Sequence, residues 1–129
     1  MLVVDASCVA EVVLSGPDAE PVRRRLERDP DHAAPSLIDA EVLGVIRRFH
    51  LRRELDPTAA QLAIQDLESW SATRFDHRPL LARAWDLRNS MSTADALYVA
   101  LGEDLAATVL TLDRRLARAT GARCAVEVP

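Results

Sequence analysis

Lysine is absent from this chain, and all sixteen basic residues are arginine. A phosphate-binding P-loop is thereby excluded, because that loop uses a glycine-lysine pair to reach the β- and γ-phosphates. Receiver domains of response regulators and haloacid dehalogenase-like phosphatases also gather aspartates at strand ends, but both carry a lysine beside them. Glycine is scarce: Gly16, Gly44, Gly102 and Gly121 are the only four, too scattered for a GxGxxG dinucleotide-binding turn. No apolar run approaches the ~20 residues of a membrane span, and MLVVDAS lacks the basic region and long apolar segment of a signal peptide. A soluble, cytoplasmic protein is expected. The two cysteines, Cys8 and Cys124, fit no metal-ligand spacing and read as small buried hydrophobes. Positive charge is not in excess either, since the formal net charge is −4, which counts against a broad basic surface for nucleic acid.

What the chain does have is concentrated in residues 92–117. Ala94, Leu97, Leu101 and Leu105 follow the spacing of a core-facing helical stripe, with Ser92 or Thr93 as N-cap. Asp95 then falls in the first turn. Ala107 to Leu112 is a short apolar run with β-branched Thr108, Val109 and Thr111, which reads as a buried strand of a parallel sheet. Asp113 sits where that strand stops. Ligands in open α/β sheets gather at the carboxyl ends of strands, so other acids able to reach the same edge become candidates.

The chain opens with a strand, Leu2 to Val4, ending at Asp5, and Ala6 to Leu14 read as a first helix that Asp5 could simply cap. A solvated helix over 18–29 and a short strand over His32 to Ala34 follow. Pro35 leads to a third helix from about Ser36 to Arg53, in which Ile38, Val42, Val45, Ile46 and Phe49 occupy a sector about 100° wide. Glu41 lies at one edge of that sector and Asp39 at the other, and periodicity does not choose between them. Arg48 and Arg52 project along the Glu41 edge, where they could meet phosphates or pair with Glu41. Asp56 and Pro57 start a fourth helix, residues 73–77 form a short strand, and Pro79 to Asn89 a fifth helix. Trp70 and Trp85 lie on helix stripes and read as core or interface anchors. Arg114 to Thr120 is a last helix and Cys124 to Val128 a last strand.

Strands and helices thus alternate from end to end, which predicts one α/β domain over residues 1–129 with a mainly parallel sheet between helices. Asp5 and Asp113 emerge at one sheet edge, and the helices bearing Glu41 and Asp95 can begin there. Two carboxylates ~4 Å apart repel by about 4 kcal/mol at an effective dielectric of ~20, so such a group implies protonation or a bound cation. Oxygen-only ligands imply a hard one, Mg²⁺ or Mn²⁺.

These residues resemble the PIN-domain family, and within it the VapC-type toxin ribonucleases. The likeness spans the whole chain. A hydrophobic strand and D-x-S motif appear as Val3-Val4-Asp5-Ala6-Ser7, and a proline-led helix with a glutamate as APSLIDAEVLGVIRR, which selects Glu41 over Asp39. A D-A-x-Y-V-A-L motif runs from Asp95 to Leu101, and T-x-D is Thr111-Leu112-Asp113. Gly102 stands where the family tends to keep alanine, a departure expected to loosen the helix. The resemblance implies a three-layer PIN-like sandwich and a metal-dependent endoribonuclease, a hydrolase acting as the toxin of a type II toxin-antitoxin pair. It implies Asp5, Glu41, Asp95 and Asp113 as catalytic and metal-binding residues for Mg²⁺ or Mn²⁺, with Ser7 and Thr111 in support. RNA as substrate, a VapB-like antitoxin and a homodimer follow from the same resemblance. The competing expectation is a catalytically silent PIN-like scaffold whose acidic pocket receives a cationic side chain from a partner protein.

Overall fold

The computed structural model describes residues 1–129. Five strands, β1 (Leu2–Val4), β2 (His32–Pro35), β3 (Thr73–Phe75), β4 (Thr108–Leu110) and β5 (Val126–Glu127), form one sheet in the order β3-β2-β1-β4-β5. Every neighbouring pair is parallel, with Val3 opposite Ala33 on one side and Val109 on the other. Seven helices connect them: α1 (Ala6–Val13), α2 (Ala19–Glu27), α3 (Leu37–Leu51), α4 (Pro57–Ser69), α5 (Leu81–Asp86), α6 (Thr93–Asp104) and α7 (Arg114–Arg118). None is long and apolar enough to cross a membrane.

Right-handed crossovers place α1 to α4 on one face and α5 to α7 on the other. The packing agrees: α1 rests on α2, α3 and α4, while α6 rests on α5 and on β1, β2 and β4. This is the three-layer α/β sandwich that the alternation of elements predicts. Covering both faces explains why Leu2, Val3 and Val4 are an unbroken apolar run, all fully buried. Burial of each such side chain contributes about 1.5–3 kcal/mol. From β1 the chain winds toward β2 and β3; from β4 it winds the other way, to β5. The reversal leaves a crevice outside the carboxyl ends of β1 and β4.

α6 is the central helix, with every residue from Ala96 to Gly102 buried. At Gly102 the helix runs close against β4. A Cβ there would stand 2.7 Å from Val109 Cγ2 and 3.1 Å from Cys124 Sγ, so the glycine lets α6 lie close against β4. Other expectations shift at their edges. The fifth helix is broken into a 3-10 turn over Arg78–Leu80 and a short α5 that ends at Asp86, and β5 keeps only two residues. Trp70 packs against the core, as anticipated. Trp85 does not: it is 67% exposed, and the Arg88 guanidinium covers its ring at 4.7 Å. Phe49 likewise lies at the surface, while Ile38, Val42 and Ile46 fill the buried stripe of α3.

Candidate active site

Asp5 follows β1 directly and caps α1, accepting from the Ser7 backbone N–H at 3.3 Å. Its Oδ2 also accepts from Ser7 Oγ at 2.5 Å and from Thr111 Oγ1 at 2.8 Å. These two hydroxyls stitch the ends of β1 and β4 together. Ser7 Oγ accepts from Leu112 N–H at 3.0 Å, and Thr111 Oγ1 accepts from Asp113 N–H at 3.0 Å. Thr111 is wholly buried and Asp5 only 7% exposed. No buried side-chain oxygen in the chain lacks a partner, so the unpartnered Oδ1 of Asp5 is the atom that reaches solvent.

Asp113 caps α7 by accepting from Arg115 N–H at 2.8 Å. It also pairs with the Arg115 guanidinium at 3.1 Å, and that guanidinium holds its carboxyl below the usual range. Asp95 lies in the first turn of α6, where its N–H donates to the N-cap Ser92 Oγ at 3.2 Å. Burial pushes the Asp95 carboxyl up, the Ser92 hydroxyl pulls it back, and the Asp5 and Asp113 charges raise it again. Glu41, on the fifth residue of α3, accepts from the Tyr98 hydroxyl at 2.8 Å. It too is raised, first by burial and further by Asp5 and Asp95, with the Tyr98 bond opposing.

Glu41, Asp95, Asp113 and Arg115 are the charged walls of one cavity of about 420 Å³. Asp5 is not among its lining residues, but its charge acts on both Glu41 and Asp95. Asp39 is elsewhere: it is exposed and forms a forked ion pair with Arg74 at 2.9 Å. Arg48 and Arg52 are exposed and do not reach the cavity, and neither pairs with Glu41. No histidine lines it. His32 and His50 bond backbone carbonyls, and His77 Nε2 accepts from Leu37 N–H at 2.9 Å to cap α3. Tyr98 and Arg115 are contacts that motif reading missed. Tyr98 lies three residues after Asp95, hence on the same helix face, and Arg115 lies two after Asp113.

Three carboxylates facing one arginine leave negative charge uncompensated, and Asp5, Glu41 and Asp95 have no ion-pair partner within 4.0 Å. The donor set is all oxygen, which suits a hard cation. No three acidic, histidine or cysteine side chains close on one point as a ready ligand set. The residues therefore fit an ion that keeps much of its water and takes one or two carboxylates, the habit of Mg²⁺. They do not fit a metal that requires a closed protein cage.

Comparison with known proteins gives a consistent result. The PIN domain family profile matches residues 2–122. Ribonuclease VapC12 of Mycobacterium tuberculosis is 34% identical over 128 residues, covering 99% of this chain and 98% of the relative. Ribonuclease VapC3 of the same organism is 39% identical over 119 residues, covering 92% and 86%. Among solved structures, FitAcB from Neisseria gonorrhoeae superposes with a TM-score of 0.72 at 20% identity, covering 98% of this chain and 96% of that one. VapBC2 from Rickettsia felis, bound to a DNA fragment from their promoter, gives 0.69 at 14% identity, covering 99% and 98%.

Proposed function

This chain belongs to the PIN-domain family, and from that premise we propose that it is a metal-dependent endoribonuclease, the toxin of a type II toxin-antitoxin pair. The observation that carries the reading is the cavity at the carboxyl ends of β1 and β4, lined by Glu41, Asp95 and Asp113 and within reach of the Asp5 charge. The relatives' printed name, ribonuclease, supports RNA as the substrate.

Asp5, Glu41, Asp95 and Asp113 are the residues that would hold Mg²⁺ or Mn²⁺, directly or through water. When bound, such an ion lowers the pKa of its water toward neutrality and offsets charge on the phosphoryl oxygens. The chain's own groups prepare for this. Ser7 and Thr111 fix Asp5 through Oδ2 and leave Oδ1 free. The burial that raises Glu41 and Asp95 favours a cation, because ionised carboxylates in partly dry surroundings need a countercharge. Arg115 holds Asp113 and is the one basic residue on the cavity wall. Arg48 on the exposed side of α3 and Arg52 at its C-cap serve RNA farther out, where guanidinium groups can pair with phosphates.

The partners follow the same line. VapBC2 was solved bound to a DNA fragment from their promoter, which supports a VapB-like antitoxin as the partner protein. A homodimer would give Leu81 and Trp85, exposed at 53% and 67% and one turn apart on α5, a surface to bury against. Incubation with RNA in Mg²⁺ or Mn²⁺, and again in EDTA, tests the function. Cleavage that EDTA abolishes and added metal restores is expected. A protein that binds a partner tightly but cleaves no RNA under either condition would instead be a catalytically silent scaffold.

A further inference from the structure

We infer that Tyr98 is a positioning residue that holds the Glu41 carboxylate in place for a cation, an inference that rests on the reading of the acidic cavity given above. Tyr98 is 0% exposed, and its hydroxyl makes one hydrogen bond, to Glu41 Oε1 at 2.8 Å. A hydroxyl taken out of water must be bonded or it destabilises the fold. A residue wanted there for volume alone would be phenylalanine, which carries no such demand. The hydroxyl therefore serves Glu41.

The placement gives that service a purpose. Asp95 and Tyr98 are one turn apart on α6, so this helix presents one carboxylate and, a turn later, the donor that holds a second one brought by α3, 57 positions away in sequence. Glu41 has no arginine or histidine partner, and the charges of Asp5 and Asp95 act against its own. Left unheld, its flexible side chain would swing away from them. The Tyr98 bond occupies Oε1 and leaves Oε2 without a protein partner. Because a phenol donates to the ionised carboxylate, the bond favours the form a cation needs.

Mn²⁺ binding, followed by electron paramagnetic resonance of the free ion without RNA, separates this role from a structural one. Tyr98→Phe should bind Mn²⁺ ~10–100-fold more weakly, as loss of a group that orients a ligand does. Glu41→Gln should lose at least as much, and adding Tyr98→Phe to it should change nothing further. Tyr98 is the chain's single tyrosine, so ring-labelled wild-type protein gives one ¹³Cζ resonance that needs no substitution to interpret. That resonance should move on Mg²⁺ addition in the wild type and stay still in Glu41→Gln. Wild-type Mn²⁺ affinity in Tyr98→Phe, or a ¹³Cζ signal unmoved by saturating Mg²⁺, would overturn the inference and leave the acidic-cavity reading standing. Equal Mn²⁺ affinity in wild type and Glu41→Gln would overturn both.

Discussion

Asp95→Asn separates two roles that predict opposite signs. As an acid in the first turn of α6, Asp95 should stabilise the fold through the helix dipole by ~0.3–1 kcal/mol, and losing it should lower the melting temperature by about 1–4 °C in a chain of this size. The structure argues the reverse. Burial, then the Asp5 and Asp113 charges, raise the Asp95 carboxyl above its unfolded value, against the pull of Ser92. A carboxyl raised on folding stabilises the native state below its unfolded pKa, and that contribution is lost as pH rises through the folded value. At pH 7 without metal, ionised Asp95 is therefore a net cost, and the asparagine protein should melt at or above wild type. The advantage should disappear below about pH 4, where the carboxyl is protonated in both states. The cap itself survives, because the bond to Ser92 Oγ comes from the backbone N–H. Mn²⁺ at ~100 times its Kd should stabilise wild type by about 2.7 kcal/mol, roughly 10 °C, and the variant by far less. Melting curves in EDTA and in Mn²⁺, with an RNA cleavage assay, decide it. A variant destabilised in EDTA, still stabilised by Mn²⁺ and still cutting RNA would make Asp95 an ordinary helix acid.

Thr111→Val keeps shape but removes the hydroxyl shared by Asp5 and the Asp113 N–H; loss of about 1–3 kcal/mol on denaturant unfolding is expected, with weaker Mn²⁺ binding. Gly102→Ala gains about 1 kcal/mol of helix propensity but forces a methyl to within 2.7 Å of Val109, an overpacking cost of ~1–3 kcal/mol. It should melt lower while retaining metal affinity, and a higher melting temperature would contradict the close packing of α6 on β4. Arg48→Ala with Arg52→Ala should weaken RNA binding and reduce its salt dependence by up to about two counterions; an unchanged salt slope would remove both from the RNA path.

The starts of β1, β2 and β3 and the caps at Asp5, Asp56 and Ser92 were legible because each depends on neighbours in sequence. The parallel sheet followed from the alternation of elements and the unbroken apolar runs. What local pattern could not supply was the identity of the facing partner. Asp39 and Glu41 flank the same buried stripe, and only the fold reveals that one edge meets Arg74 after Ala72 and the other meets Tyr98 on α6. Trp85 fits a helical stripe equally well, yet α5 stops after Asp86 and its ring lies outside the core. Gly102 reads as a weak point in a helix until β4 is placed against it.

The chemistry of the product ends tests the central claim most directly. Hydrolysis by a carboxylate-held ion needs no 2′-hydroxyl and no histidine, and no histidine lines the cavity. RNA cut by this protein in Mg²⁺ or Mn²⁺ should carry 5′-phosphate and 3′-hydroxyl ends, and none should appear in EDTA. Metal-independent cleavage leaving 2′,3′-cyclic phosphates would show that the four acids do not perform the reaction.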